Sequence, residues 1–144
     1  MVLNNSIMYI GIETNLSTVP GDKSMQVYKQ SADQSGLEAW PAYEDDGVEV
    51  LEGNPKQSGR IDWGHIEGPA AAGVWESTPG KIRLINPFSE YCTVTAGRVT
   101  ITDGDNKQAT FGPGDNFFLA QGEASTWEIH EPFQKTFFFH IGPE

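Results

Sequence analysis

The chain has 144 residues, with 20 Asp and Glu against 9 Lys and Arg and a formal net charge of −11. Its length suits one domain and is too short for two ordinary ones. Both halves are negative: residues 1–72 carry eleven acids and four bases (net −7), and the rest nine and five (net −4). Because nucleic acids and anionic membranes are bound through Lys and Arg, we expect neither as a partner.

The cysteine count and the N-terminal residues indicate in which cellular compartment the protein is expected. Cys92 is the only cysteine, which excludes an internal disulfide and a site built from several thiolates. The N-terminal residues MVLNNSIMYIGIE lack the basic start and apolar run of a signal peptide. No stretch approaches the roughly 18 apolar residues of a membrane span. We therefore expect a cytoplasmic protein.

Residues 1–47 are interrupted by Pro, Gly and Asp at short intervals and contain only brief strand-like pieces, such as 25–28. This pattern predicts an extended N-terminal arm with at most one turn of helix, either wrapping around the rest of the chain or partly flexible. Trp40 and Tyr43 are expected to anchor the arm on an apolar surface. Residues 48–144 are expected to form the domain itself.

From Gly47 onward, runs rich in Val, Ile, Thr and Phe alternate with turn residues. Strands are predicted, in chain order, within VEVLEGNP, RIDWGHIE, AAGVWESTPGKIRLINP, EYCTVTAGRVTITDGDNKQATFGPGDNFFLA, STWEIHE and QKTFFFHIG. Eight or nine short strands without a helix predict an all-β sandwich or closed barrel with antiparallel pairing. Closure is expected because an open sheet of so many short strands would expose its edges.

Two motifs resemble the signatures of the cupin superfamily. Glu90 and the turn residue Gly97 have six residues between them, and Gly114 leads to Ala120-Gln121-Gly122, where cupins have Pro-x-Gly. More narrowly, GVWESTPGKIRL, SEYCTVTAGRVTITD, FGPGDNFFL and STWEI are similar to the small single-domain cupins related to (S)-ureidoglycine aminohydrolase. The resemblance implies a cupin-type double-stranded β-helix, that is, a jelly-roll barrel, preceded by the N-terminal arm.

The resemblance also implies where a metal would bind. Metal-binding cupins use a His-x-His pair, the motif glutamate and a third histidine. By motif spacing the pair falls at Leu84 and Asn86, or at Arg83 and Ile85 with the alternative gap, and neither placement contains histidine. The third histidine falls at Ser125, so that only Glu90 is retained. Leucine has no donor atom, and the neutral oxygens of Asn and Ser are weak ligands for transition metals. We therefore expect no metal and no other cofactor.

The barrel interior is the candidate binding site. If Glu90 faces inward, strand alternation places Cys92 and Val94 on the same side. Apolar walls with a few fixed polar groups are typical of small-molecule pockets. The candidate ligand-binding residues are Asn86, Ser125, Trp127, Trp75, Arg83 and Cys92, with Glu90 as the candidate catalytic acid or base.

Each of these residues also has a plain structural interpretation. A carboxylate inside the barrel must be paired, hydrated or protonated. The partners considered for Glu90 are Arg83, Lys81, Tyr91 and Lys135. Glu90 is equally explained as a polar residue that is kept from the family and closes a local hydrogen-bond network. Cys92 is explained as an inert buried thiol. The two tryptophans are explained as part of the packing of the barrel.

Four functions remain open at this stage. The first is a metal-free binding protein for a small polar metabolite. The second is an enzyme (a lyase, isomerase, cyclase or aminohydrolase-like protein) that uses Glu90 as acid or base. The third is a cupin that binds a metal at a different position, through Glu90 with His65 or His140. The fourth is a dimerising accessory protein without a ligand. A homodimer is expected in addition, because at least one phenylalanine of the run 137–139 must face outward.

Overall fold

A computed structural model of the chain describes residues 25–29 and 36–143. These residues form eleven strands and one 3-10 helix, Tyr43–Asp46. The strands, in chain order, are β1 (Glu38–Ala39), β2 (Glu49–Glu52), β3 (Gln57–Gly64), β4 (Ala70–Ser77), β5 (Gly80–Ile85), β6 (Ser89–Ala96), β7 (Val99–Asp103), β8 (Gln108–Phe111), β9 (Asn116–Leu119), β10 (Ala124–Ile129) and β11 (Phe133–His140). Within the described part of the chain, no helix is long and apolar enough to cross a membrane.

The strands form two sheets in which all pairs are antiparallel. One sheet has six strands in the order β1-β3-β4-β11-β6-β9, and the other has five in the order β2-β5-β10-β7-β8. Because the chain passes repeatedly between the sheets, strands distant in sequence become neighbours. The last strand, β11, thus lies between β4 and β6, with Phe139 opposite Glu90. The two-sheet, all-β architecture predicted from the strand and turn pattern is confirmed.

The core lies between the two sheets. On β11, Phe133, Phe137 and Phe139 are at most 6% exposed, whereas Phe138 between them is 46% exposed. This alternation follows from the two-residue period of a strand. The prediction that the phenylalanine run divides between two faces is confirmed, and the inward face of β11 contributes three aromatic rings to the core.

Two details differ from the sequence-based expectation. After residue 47 there are ten strands rather than eight or nine, because β8 and β9 are only four residues each and are separated by a short turn. Residues 25–28 do not form a strand. Tyr28 instead donates a side-chain hydrogen bond to Asp62 at 2.8 Å, which ties this segment to β3.

The described part of the predicted arm packs against the barrel. β1 pairs with β3 through Ala39 and Ser58, and Trp40 packs against the core. Tyr43 is 3% exposed and donates a hydrogen bond from its hydroxyl to Ser77 Oγ at 2.7 Å. The two aromatic residues expected to anchor the arm therefore both contact the core, while residues 1–24 and 30–35 lie outside the described residues.

Candidate ligand-binding site

A cavity of about 530 Å³ lies inside the barrel. Its apolar wall is formed by aromatic and aliphatic side chains, among them Trp75, Trp127, Phe137, Phe139, Ile82 and Leu84. The polar groups that reach it include Glu90, Lys135, Asn86, Gln57 and Asp46. A volume of this size is within the range that holds a small metabolite.

Glu90 and Lys135 form an ion pair at this cavity. They lie on the neighbouring strands β6 and β11 and both point inward. Lys135 Nζ donates a hydrogen bond to Glu90 Oε2, and the two side chains are only 4% and 11% exposed, respectively. Lys135 Nζ also lies 3.4 Å from Cys92 Sγ. Of the partners considered for Glu90 from the sequence, the residue that lies beside it is thus Lys135.

Three aromatic rings surround the Lys135 ammonium. Its Nζ lies 4.9 Å from the ring centroid of Trp75, 5.6 Å from that of Trp127 and 5.3 Å from that of Phe137. These distances fall within the roughly 6 Å range of a cation–π interaction. The ammonium is therefore held by one carboxylate and three aromatic rings in a region that water hardly reaches.

The ionisation of this cluster follows from burial and from its charges. Burial lowers the pKa of Lys135, but the charge of Cys92 once it ionises, the charge of Glu90, and hydrogen bonds to both groups raise it above its ordinary value of 10.5. The pKa of the Cys92 thiol is raised well above its ordinary value, first by burial and then by the charge of Glu90. At neutral pH Lys135 is thus an ammonium and Cys92 an unreactive thiol.

Trp127 is oriented by a chain of hydrogen bonds. Its Nε1 donates to Ser125 Oγ at 3.0 Å, and Ser125 Oγ donates to Asn86 Oδ1 at 2.8 Å. Asn86 Nδ2 in turn donates to the carbonyl oxygen of Ala120 at 3.1 Å. The three linked side chains belong to residues that are at most 5% exposed. Asn86 and Ser125, predicted as ligand-binding residues, therefore hold the indole of Trp127 in place.

Trp75 is oriented in a similar way by Gln57. Trp75 Nε1 donates to Gln57 Oε1 at 2.9 Å, and Gln57 Nε2 donates to the carbonyl oxygen of Pro41 and to Asp46 Oδ2. The Trp75 and Trp127 rings meet edge to face, with centroids 5.7 Å apart. Gln57 was missed by the sequence analysis. The sequence signal that could have identified Gln57 is its polar side chain at a position of β3 that strand alternation directs inward.

Other predicted site residues lie elsewhere. Arg83 is exposed and is not among the residues that line the cavity, and its contact with a ligand stays a prediction. It sits on β5 between Ile82 and Leu84, both of which line the cavity, and the strand period therefore turns Arg83 outward. Cys92 is fully buried behind the cavity wall, where it contacts Lys135.

The relocated-metal hypothesis is not supported by the histidine positions. His65 and His140 are both exposed, and His140 follows the fully buried Phe139 on β11, which puts it on the outer face of the sheet. Among residues 25–29 and 36–143, no three His, Cys, Asp or Glu side chains are grouped so as to hold a metal ion.

Comparison with protein families identifies the chain at the level of its family. The model of the EutQ-like cupin domain matches residues 65–137, which is 73 of the 144 residues. The chain belongs to the EutQ-like cupin family. The cupin fold predicted from the motifs around Glu90 and Gly114 is thereby confirmed. The narrower similarity to cupins related to (S)-ureidoglycine aminohydrolase stays a prediction.

Solved structures agree with this fold at low sequence identity. The EutQ protein of Clostridium difficile is 14% identical, with a TM-score of 0.52 over 60% of this chain and 69% of that chain. A protein of unknown function from Pseudomonas syringae is 20% identical, with a TM-score of 0.65 over 74% of this chain and 45% of that chain. This EutQ-like cupin thus corresponds to less than half of the Pseudomonas protein. No curated protein matches the chain.

The cupin metal positions of this EutQ-like cupin do not fit a transition metal. Leu84 offers no donor atom, and the side-chain oxygens of Asn86 and Ser125 take part in the hydrogen bonds that orient Trp127. The remaining position, Glu90, is paired with an ammonium. A metal ion would have to displace that ammonium and break the hydrogen-bond chain, and we therefore derive no metal chemistry for this site.

Proposed function

We propose that this EutQ-like cupin binds a small, polar, uncharged metabolite in the barrel interior without a metal ion. The observation that supports the proposal is the cavity of about 530 Å³ whose aromatic walls enclose one buried ion pair. Apolar walls provide area for the ligand, and a few fixed polar groups orient it. The tryptophans of the wall are held by hydrogen bonds before a ligand arrives, which lowers the entropic cost of binding.

The ion pair favours a ligand with a neighbouring donor and acceptor. Glu90 Oε2 accepts a hydrogen bond from Lys135, and both residues line the cavity. An ammonium has three hydrogens, of which Lys135 directs two to Glu90 and Cys92. An amide or ureido group would donate to Glu90 and accept from Lys135. The similarity to cupins related to (S)-ureidoglycine aminohydrolase favours the same chemical class.

The charges of the cavity and of the chain disfavour an anionic ligand. The pair of Glu90 and Lys135 is neutral as a whole, and the other charged residues that line the cavity, Asp46 and Glu67, are acidic. An anionic ligand would therefore add an uncompensated charge. An anion would also approach a chain with a net charge of −11. An uncharged ligand avoids both costs.

Proton transfer by the same pair is the second candidate function. The Glu90 carboxylate lies beside the ammonium of Lys135, and both line the cavity. One group that accepts a proton and one that donates, both facing the same ligand, suit an isomerase, lyase, cyclase or aminohydrolase-like step. If turnover of an identified ligand is found, Glu90→Gln should abolish it, and retained turnover would exclude Glu90 as the acid or base.

Ligand binding is tested by a metabolite screen on chelator-treated protein. A ligand present at 100 times its Kd is expected to stabilise the protein by about 2.7 kcal/mol, which raises the Tm by several degrees. Trp127→Leu should weaken binding about tenfold or more because it removes one cavity wall. The matched control is Trp63→Leu, on β3 and outside the cavity lining, which should bind as wild type. A screen without any ligand, or equal binding by both variants, would overturn the proposal.

We also propose a homodimer through the outer face of the six-stranded sheet. Phe138, Tyr91 and Phe118 lie opposite one another on the neighbouring strands β11, β6 and β9 and are 46%, 52% and 60% exposed. We call them the aromatic row. Its centre is Tyr91 with a phenylalanine on each side, so a two-fold axis through Tyr91 would place Phe118 of one copy against Phe138 of the other.

The dimer is tested by light scattering at micromolar concentration. Wild type should have the mass of two chains, and Phe138→Ser should have the mass of one. Leu51→Ser, which replaces a residue 42% exposed on the other sheet, should remain dimeric. A monomeric wild type, or a dimeric Phe138→Ser variant, would reject the aromatic row as the interface. A chain lacking residues 1–24 that dimerises more strongly would indicate that the N-terminal arm covers the row instead.

A further inference from the structure

The motif glutamate of a metal-binding cupin faces a metal cation, whereas Glu90 of this chain faces the ammonium of Lys135. We propose that this ammonium takes the place of the metal ion, so that the barrel carries its cation as part of the polypeptide. The role of this ammonium does not depend on the proposed ligand, because Lys135 occupies its position in the cavity whichever molecule binds there.

Residues at the positions that bind the metal in metal-binding cupins contact or orient the surroundings of the Lys135 ammonium. Glu90 contacts it directly. Asn86 and Ser125 act through Trp127, whose ring they orient by hydrogen bonds and whose centroid lies 5.6 Å from Lys135 Nζ. Three of the four positions that would bind a metal therefore fix the surroundings of one ammonium.

The surroundings of Lys135 suit an ammonium better than a divalent metal. Aromatic faces attract ammonium ions, and Trp75, Trp127 and Phe137 all lie within 6 Å of Nζ. Transition metals instead require several lone pairs from imidazole, thiolate or carboxylate groups. A divalent ion beside Glu90 would also be repelled by Lys135 at close range, in a region of low dielectric constant.

The first test is chemical rescue of Lys135→Ala. This substitution removes three carbons and the ammonium, which propylammonium supplies. Propylammonium chloride should raise the Tm of Lys135→Ala but should leave wild type and Lys81→Ala unchanged, at matched ionic strength. The uncharged analogue 1-propanol should give no such rise. Equal effects of both compounds on folded Lys135→Ala, or no effect of either, would overturn the proposal.

The second test does not require Lys135→Ala to fold. Histidines are introduced at Leu84, Asn86 and Ser125 together, once with Lys135 retained and once with Lys135→Met. Binding of Co²⁺ alone is followed by its visible absorption. We expect the variant with Lys135→Met to bind Co²⁺ about 100-fold more tightly or more, since the competing cation is absent. Equal affinities would show that the ammonium and the metal occupy different places.

Discussion

Replacement of Lys135 by methionine is expected to lower the free energy of unfolding by about 3–5 kcal/mol. Methionine keeps much of the length and volume of the side chain but removes its charge. The Glu90 carboxylate, whose side chain is 11% exposed, then remains in an aromatic cavity without its cation. Equilibrium unfolding in urea, followed by circular dichroism, measures the loss.

Two further variants separate the buried ion pair from general effects of the substitution. The double variant Glu90→Gln/Lys135→Met should recover most of the lost stability, because a neutral pair of similar volume leaves no uncompensated charge. Lys81→Met breaks the surface pair with Glu52, at 3.9 Å, and should cost less than about 1 kcal/mol. If Lys135→Met were as stable as Lys81→Met, the buried pair would have no structural importance.

Gly97→Ala is expected to lower the free energy of unfolding by about 2–5 kcal/mol. The residue has φ +84°, which costs an alanine about 1–2 kcal/mol. An added Cβ would also lie 2.2 Å from the carbonyl oxygen of Pro132 and 2.7 Å from the Cα of Phe133, and such overpacking costs about 1–3 kcal/mol. The backbone before β11 would have to move, together with the fully buried Phe133 ring.

Gly114→Ala is the matched control for Gly97→Ala. Gly114 has a similar φ of +93°, but no atom lies within 4 Å of an added Cβ. Its replacement should therefore cost only the backbone contribution of about 1–2 kcal/mol. Equal losses in the two variants, measured by urea unfolding, would show that the contact between Gly97 and Pro132 is unimportant.

Much of the fold could be predicted because strand alternation and turn residues are local features of the sequence. The two-residue period places Cys92 and Val94 on one face of β6 and Tyr91 on the other, which follows from the sequence alone. The same period should have turned Arg83 outward once Leu84 and Asn86 were placed inside. Arg83 accordingly lies outside the cavity lining.

The candidate site was harder to predict because its contacts join distant parts of the chain. Glu90 and Lys135 are 45 positions apart, and only the pairing of β6 with β11 selects Lys135 among the partners considered. Asn86 and Ser125 were expected to face a ligand. Their actual partners depend on hydrogen-bond directions between strands, which residue types and spacing do not specify.

The state of Lys135 can be measured directly by NMR of chelator-treated protein carrying ¹⁵N-labelled lysine. Of the six lysine ammonium groups, one should have hydrogens protected from exchange with water, and its signal should be absent from Lys135→Met. That group should keep its charge as the pH rises past 10.5, because the pKa of Lys135 lies above this ordinary value. A Lys135 that loses its proton in the neutral range, or exchanges with water as fast as the other five, would contradict a buried ammonium in the place of the metal.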